Sequence, residues 1–252
     1  MSIYVVTHKK YPIPDKKGYI PIQVGAALHD SLGYLKDSDG DNISAKNPNY
    51  CELTALYYMW KNTEDDIIGL THYRRYFCDK KTLSPLEHIL SYDDAVSFLK
   101  TYDMIVPYKM HRKGRTIRED YAEHHNIRDY DACREIICKL YPEYTEAFDK
   151  VSDAKDLYQF NMLITNRKRF DSYCEWLFNI LFELEKQTDI SGYDAYNSRI
   201  YGFLSERLFN VWLEYQNLKI LKMEVYNIED SKKTLLMANI KNTLKPILGV
   251  DR

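Results

Sequence analysis

The residues best suited to chemistry lie in one short run, Thr71-His72-Tyr73-Arg74-Arg75-Tyr76. Its two arginines carry planar forks of N–H donors that match phosphate oxygens and stay charged in proteins. Its histidine can donate to a phosphate or exchange a proton near neutral pH, and its tyrosine rings can stack on a base or a sugar. The run therefore predicts a site for an anionic ligand such as a diphosphate.

The position of this run favours that interpretation. It follows residues 66–70, a short apolar segment that predicts a buried strand. Ligands of open α/β sheets bind just beyond the carboxyl ends of the strands. A structural alternative stays open, in which the arginines form ion pairs with Asp65, Asp66 or Asp103. Adjacent arginines point apart in an extended chain and can converge in a turn.

Two other segments are expected near this site. A first strand is predicted at residues 3–7, where an apolar, β-branched run precedes the polar His8-Lys9-Lys10. Neither a G-x-G-x-x-G fingerprint nor a G-K-[ST] loop is present, so the dinucleotide and P-loop motifs are excluded. A helix is predicted to begin with Asn49 as its N-cap and with Glu52 completing a capping box.

The whole pattern predicts an α/β fold, with a mixed or parallel sheet flanked by helices and a helix-rich C-terminal half. We expect one domain over residues 1–230 and an amphipathic tail at 231–252, which either packs on the domain or lies on an anionic membrane surface. Further strands are predicted at 104–107, 161–165 and 219–226, helices at 85–102, 117–125, 129–140, 143–150, 168–187 and 199–216, and loops at 11–24, 37–48 and 108–116.

Composition excludes several classes of protein. A net charge of −2 argues against a nucleic-acid surface, and the basic run His111-Arg112-Lys113 is interpreted as a solvated face. No apolar run reaches membrane-spanning length, and the N-terminus does not have the pattern of a signal peptide. Five scattered cysteines without a C-x-x-C spacing indicate reduced thiols. These features predict a cytoplasmic protein, with membrane contact only through the tail.

At the polar run the sequence resembles a known family. The segment Gly69-Leu70-Thr71-His72-Tyr73-Arg74-Arg75-Tyr76-Phe77 is similar to a motif of a bacterial domain-of-unknown-function family. That family occurs in capsule and exopolysaccharide gene clusters and is associated with glycosyltransferases. Further matching segments follow in order along the chain, at residues 3–9, 40–44, 50–55, 161–162, 173–178 and 202–208.

The resemblance implies transfer of a sugar from a nucleotide donor to a growing glycan. The order of elements also looks like the glycosyltransferase-A arrangement, in which a strand ends in an Asp-x-Asp motif that holds a divalent metal on the diphosphate. This chain departs there, because Thr71-His72-Tyr73-Arg74-Arg75 stands in that place. Since arginine neutralises phosphate directly, we expect metal-independent transfer without a cofactor, with Arg74 and Arg75 stabilising the departing diphosphate.

Candidate site residues follow from this reading. Glu206 and His125 are the candidates for the base that deprotonates the acceptor hydroxyl, although Glu206 could instead form a simple ion pair with a neighbouring arginine. The residues expected to bind the donor and its diphosphate are Thr7, His8, Lys9, Asn42, Tyr50, Glu52, His72, Tyr73, Arg74, Arg75, Asn161, Met162 and Arg199.

The implied reaction moves a hexose, such as galactose or galactofuranose, from a UDP-sugar. The acceptor would be a lipid-linked or growing polysaccharide in capsule, exopolysaccharide or O-antigen synthesis. The alternative is a non-catalytic component that binds a nucleotide-sugar or glycan within a polysaccharide assembly complex. Both interpretations predict donor binding, and only the transferase releases nucleoside diphosphate. A phosphate-ester hydrolase is less favoured, since no metal-binding carboxylate cluster or nucleophile is evident.

Overall fold

The computed structural model describes residues 1–80 and 85–230. In this part of the chain the strands are β1 (Ser2–Thr7), β2 (Tyr19–Gln23), β3 (Leu35–Lys36), β4 (Ile67–His72), β5 (Arg75–Cys78), β6 (Met104–Pro107), β7 (Met110–His111), β8 (Asp156–Leu157), β9 (Leu163–Asn166) and β10 (Ile220–Asn227). The helices are α1 (Asn47–Tyr50), α2 (Leu53–Asn62), α3 (Tyr92–Phe98), α4 (Ile117–His124), α5 (Ile127–Leu140), α6 (Thr145–Asp153), α7 (Arg167–Gln187) and α8 (Ile200–Gln216). Short 3₁₀ helices lie at Ser44–Lys46, Pro85–His88, Pro142–Tyr144 and Asn197–Arg199.

The main sheet is mixed. Strands β3, β2, β1 and β4 lie side by side in parallel. Beyond them, β5 and β9 both pair antiparallel with β4, and the parallel pair β10 and β6 lies between β5 and β9. Strands β4, β5, β10, β6 and β9 therefore close into a small barrel. The predicted mixed α/β fold with a helix-rich C-terminal half is confirmed.

Strand β1 lies between two hydrophobic cores. Tyr4 and Val6 pack in the larger core with helices α2, α7 and α8, whereas Ile3 and Val5 pack in a second core with residues of β5, β9 and β10. Because successive side chains point to opposite faces, a strand covered on both faces has a continuous apolar run. Each fully buried Val or Ile side chain contributes about 1.5–3 kcal/mol. This burial fixes the position of the end of β1.

A glycine allows the barrel to close. Gly69 of β4 pairs with Ile164 of β9. A Cβ atom at residue 69 would lie 2.7 Å from Ile164 Cγ1, a distance that side-chain carbons do not reach. The two strands therefore approach closely because residue 69 has no side chain.

The predicted loop at 11–24 is wrong in its second half, because β2 occupies Tyr19–Gln23. The proline at position 21 argued against a strand. Its pairing partner is Val5 of β1, while β3 pairs only with Ile22 and Gln23. Proline is tolerated in a strand where its missing N–H has no neighbour to bond.

The helix predicted to begin at Asn49 is also different. The chain forms α1 and then breaks at Cys51, whose φ is 53°. Asn49 lies inside α1 rather than at an N-cap, and α2 starts after Glu52, so the predicted capping box is wrong.

Two further predictions need correction. Within residues 85–102, a 3₁₀ helix comes first, and α3 begins only after Ser91, whose side chain accepts from Asp94 N–H. The segment 108–116 contains β7, which pairs with β8. The helices predicted at 117–125, 129–140, 143–150, 168–187 and 199–216 and the strands predicted at 104–107, 161–165 and 219–226 are present within a few residues.

The described residues contain no helix that combines the length and the apolar composition needed to cross a bilayer. The amphipathic tail predicted at 231–252 lies outside these residues. The five cysteines all lie within them and form no disulfide.

Candidate functional site

A cleft of ≈ 650 Å³ opens at the carboxyl ends of β1 and β4; we call it the central cleft. Its lining includes nine of the predicted site residues. Those nine are Thr7, His8, Glu52, His72, Tyr73, Arg74, Arg75, Arg199 and Glu206, and they are joined by Val6, Val24, Asn47, Pro48, Cys51 and Phe160.

The parallel pairing of β1 and β4 brings the first two polar segments together. Val6 pairs with His72, and Tyr73 N–H donates to Val6 O at 3.0 Å. The rings of His8 and Tyr73 then meet edge to face with their centroids 5.4 Å apart. Two segments distant in sequence therefore form one edge of the central cleft, as expected at the ends of parallel strands.

The two arginines do not converge. Residues 73–74 form a tight turn between β4 and β5, in which His72 pairs with Arg75. Arg74 donates from Nη1 to both carboxylate oxygens of Glu229, at 2.8 and 2.9 Å. Arg75 lies instead with its guanidinium carbon 4.5 Å from the centre of the Phe160 ring.

The alternative in which the two arginines pair with Asp65, Asp66 or Asp103 is wrong within the described residues. Asp65 accepts from Ser2 and Tyr4, and Asp103 pairs with Arg169. In residues 1–80 and 85–230 the Arg75 guanidinium forms no ion pair and donates no hydrogen bond, and burial lowers its pKa. A half-buried, permanently charged group of this kind is suited to an anionic ligand.

A kink at Phe160 and Asn161 organises the rest of the cleft. Both residues have positive φ values, 75° and 51°. Left-handed backbone at non-glycine residues is uncommon and costs about 1–3 kcal/mol per residue, and it concentrates at functional sites. Phe160 N–H donates to Glu206 Oε1 at 2.9 Å, and Phe160 O accepts from His72 Nε2 at 2.7 Å. Asn161 Nδ2 donates to Glu52 Oε1 at 2.8 Å.

His72 is therefore held as a neutral imidazole. Its Nε2–H donates to a carbonyl, and burial with the nearby Arg75 charge lowers its pKa to about 4. A proton exchange by His72 near neutral pH is not supported by this environment. Its remaining ring nitrogen can accept a hydrogen bond in the cleft.

This pKa shift predicts a pH-dependent stability. Between pH 6.5 and about 4 the unfolded chain binds a proton at His72 that the folded chain does not bind, so stability falls as pH drops. The loss at pH 5 is at most about 2 kcal/mol, or roughly 4–8 °C in Tm. His72→Gln, whose amide can still donate to Phe160 O, should lose less Tm than wild type between pH 7 and pH 5. Equal losses in thermal melts would contradict this prediction.

Two carboxylates flank the Arg75 side of the cleft. Burial raises the pKa of Glu52, and the hydrogen bond from Asn161 opposes this rise. Burial likewise raises the pKa of Glu206, whose Oε2 accepts from Arg207 Nη1 at 3.3 Å. The ion pair that the sequence suggested for Glu206 is thus present. It leaves the side chain 18% exposed, with its carboxylate lining the cleft.

A second cationic group lies across the cleft. Arg199, at the start of α8, donates from Nε to Cys51 Sγ at 3.2 Å, and its side chain is exposed. Burial raises the pKa of the Cys51 thiol to about 11, so it remains protonated at neutral pH. The central cleft is thus lined by two arginines, Arg75 and Arg199, and by two carboxylates, Glu52 and Glu206.

The other predicted site residues lie outside the central cleft lining. Tyr50 is fully buried against Tyr201, with 4.3 Å between the ring centres. Asn42 donates to the backbone of its own loop, and Met162 is buried in the second core. Lys9 lies 5.4 Å from the Tyr73 ring centre. Asn161 acts on the cleft through Glu52, as described above.

His125 lies in a neighbouring cleft of ≈ 460 Å³, which we call the basic cleft. Its Nδ1 is 3.2 Å from Asn197 Oδ1, and burial lowers its pKa. Glu206 lines both clefts and so stands at their junction. Of the two predicted bases, Glu206 lines both the central and the basic cleft, whereas His125 lines the basic cleft.

Several residues of these clefts were missed by sequence reasoning. Phe160 carries no motif, and only its neighbour Asn161 was selected. Arg112 was assigned to a solvated face, yet its side chain is 16% exposed and lies 3.5 Å from Asp120. A histidine and a lysine flank it in sequence and predict exposure, whereas Arg112 follows β7 directly and its N–H donates to Lys155 O beside β8.

In residues 1–80 and 85–230, no group of three or more His, Cys, Asp or Glu side chains is placed to hold a metal ion. The expectation of metal-independent chemistry stays a prediction.

The family model named Domain of unknown function (DUF4422) matches residues 2–217. The fold is similar to the apo structure of WbbM, a bifunctional glycosyltransferase, with 31% sequence identity and a TM-score of 0.84. The match covers 91% of this chain and 45% of that one, so this chain spans less than half the length of WbbM. Among curated proteins no match was found. The chain belongs to the DUF4422 family of domains of unknown function.

Proposed function

We propose that this protein is a glycosyltransferase that uses a nucleotide-sugar donor. The observation that carries the proposal is the central cleft. It places the Arg75 guanidinium, which has no ion pair in residues 1–80 and 85–230, near the Glu206 carboxylate and beyond the carboxyl ends of two parallel strands. Similarity of the fold to a bifunctional glycosyltransferase supports the same conclusion.

The proposed roles follow from the charges in the cleft. Arg75 and Arg199 bind the donor diphosphate, with Tyr73 and His8 beside the nucleotide. Arg74 contributes if it exchanges its partner Glu229 for a phosphate oxygen. Arginine forks suit this task because they donate two parallel hydrogen bonds to phosphate.

In the proposed step Glu206 removes the proton from an acceptor hydroxyl. The oxygen of that hydroxyl forms a bond to the anomeric carbon of the donor sugar. The bond between that carbon and the phosphate oxygen breaks, and its electron pair leaves with the nucleoside diphosphate. The arginines stabilise the charge that develops on the diphosphate.

The finer identity of the substrates rests on the resemblance. We propose a UDP-hexose donor, such as a galactose or galactofuranose donor, and a glycan acceptor of capsule, exopolysaccharide or O-antigen type that is lipid-linked or growing. The parallel order β3-β2-β1-β4, with the site after β4, supports a glycosyltransferase-A-like arrangement. The reaction would take place in the cytoplasm, at the inner face of the membrane if the tail binds lipid.

Metal independence gives a direct prediction. Because arginines rather than carboxylates are proposed to neutralise the diphosphate, EDTA should leave the transfer rate within about twofold of the untreated rate. The assay measures nucleoside diphosphate released from a UDP-hexose with a glycan acceptor. Loss of activity in EDTA and its recovery with Mn²⁺ would refute this part of the proposal.

The same assay separates an enzyme from a binding component. A transferase releases nucleoside diphosphate in an acceptor-dependent manner, whereas a non-catalytic component binds the donor and releases none. Binding measured by calorimetry without any release of nucleoside diphosphate would favour the binding component and overturn the enzymatic proposal.

A further inference from the structure

The basic cleft has a wall of cationic side chains that the proposed donor chemistry does not use. Arg112, Lys113, Arg115 and Arg207 line it, against the carboxylates of Asp120 and Glu206. Asp120 Oδ2 is shared, lying 3.3 Å from Arg207 Nη2 and 3.5 Å from Arg112 Nε. Lys113 has no ion pair among the described residues. Arg115 pairs with Glu123 at 2.7 Å, so the four cations face three carboxylates and the cleft carries a net positive charge.

Two of these cationic side chains are largely buried in the wall of the cleft rather than extended into solvent. The side chains of Arg207 and Arg112 are 6% and 16% exposed. The Nε atom of each is buried and makes no hydrogen bond within residues 1–80 and 85–230, although Arg112 Nε lies 3.5 Å from the Asp120 carboxylate. Because these Nε atoms are closed off, an anion in the cleft would meet the charge of the guanidinium groups, which Asp120 and Glu206 balance only in part.

An aromatic wall faces the same space. The ring of His125 stacks on that of Phe203, with centroids 4.2 Å apart at 27°, and on that of Tyr196, at 5.5 Å and 17°. Tyr196 is 52% exposed, so its ring offers an accessible apolar face. Aromatic faces of this kind pack against the C–H groups of sugar rings.

We propose that the basic cleft binds an acceptor saccharide that carries an anionic group, either a uronate carboxylate or a sugar phosphate. Lys113 binds the anion beside the Arg112 guanidinium, whose Nη1 donates to the Gln159 side-chain oxygen at 3.0 Å, and Tyr196 stacks on an adjoining sugar ring. The acceptor hydroxyl then reaches Glu206, which lines both clefts. This inference rests on the proposed function for the role of acceptor, and it adds the chemical class of that acceptor.

The test is a calorimetric titration of the full chain, without donor, using three trisaccharides. These are tri-galacturonate, a trisaccharide bearing one phosphate, and a neutral trisaccharide. At least one acidic probe is expected to bind ten times more tightly than the neutral probe. The preferred acidic probe identifies the source of the anion. Binding should weaken as salt increases, because exposed charges are screened.

Two variants and one control locate the binding. Lys113→Gln should weaken the acidic probe about fivefold or more, as expected for loss of one cation in a half-open cleft. Tyr196→Ala should weaken acidic and neutral probes alike, since it removes a stacking face. Lys139→Gln changes a lysine on α5 that lines neither cleft and should have no effect.

The outcomes separate the two proposals. Equal affinity for acidic and neutral probes, or an unchanged affinity in Lys113→Gln, would overturn the inference while leaving donor use intact. Failure of every nucleotide-sugar to bind the protein would overturn the proposed function instead, because the saccharide titration needs no donor.

Discussion

Replacing Arg75 by alanine is expected to lower kcat/KM for sugar transfer by about 10²–10³-fold, the usual effect of removing one preorganised donor to a developing anion. The reason is specific to this side chain. Arg75 lies in the central cleft over the Phe160 ring and has no ion pair in the described part of the chain. Donor affinity should fall together with the rate, because the diphosphate is present in the ground state as well.

The neighbouring arginine supplies an internal comparison. Arg74 is bound by both oxygens of Glu229, so Arg74→Ala should have a smaller effect than Arg75→Ala. Arg75→Lys keeps the charge but loses the fork, and an intermediate rate is expected. Arg134→Ala removes an arginine that pairs with Asp149 and lines neither cleft, and it should retain full activity.

The Tm of Arg75→Ala shows whether its loss of activity reflects a loss of folding. The contact of Arg75 with Phe160 contributes only about 0.5–1 kcal/mol, so Arg75→Ala should fold with nearly the wild-type Tm. If Arg74→Ala proved more damaging to kcat/KM than Arg75→Ala, the assignment of the diphosphate to Arg75 would be wrong.

Glu206→Gln is expected to lower kcat by about 10²–10⁴-fold, the range for loss of a general base. The glutamine oxygen can still accept from Phe160 N–H, the bond that holds the kink. Donor affinity should therefore stay within about threefold of wild type, and the loss should appear in kcat.

The pH profile gives an independent readout. A base must be deprotonated, and burial raises the pKa of Glu206. Wild-type activity should thus decline as pH falls through that raised pKa, and the residual activity of Glu206→Gln should lack this decline. His125→Ala tests the other candidate base; a larger loss of kcat there than in Glu206→Gln would move the base to the basic cleft.

The position of the site could be predicted from sequence because it depends on local patterns. Apolar runs define β1 and β4, and parallel pairing places the residues after them together. Thr7, His8, Tyr73 and Arg75 were found in this way. The rule requires only that strands be recognised and that their carboxyl ends meet.

The remaining geometry depends on long-range contacts that leave no local pattern. Glu52 matched a capping box in sequence, but its carboxylate accepts from Asn161, 109 residues away. The left-handed kink at Phe160 is imposed by bonds to Glu206 and His72. Arg74 points away from Arg75 because it pairs with Glu229. Glu229 follows β10, which pairs with β5 although the two strands are far apart in sequence.

The most direct test of the central claim is a thermal-shift panel of nucleotide-sugars in EDTA, comparing wild type with Arg75→Ala. A donor at 100 times its Kd should raise the Tm of wild type by roughly 5–11 °C. The account predicts such a shift for at least one nucleotide-sugar, and its loss in Arg75→Ala at the same concentration. An equal shift in both proteins, or a shift that needs added Mn²⁺ or Mg²⁺, would contradict it.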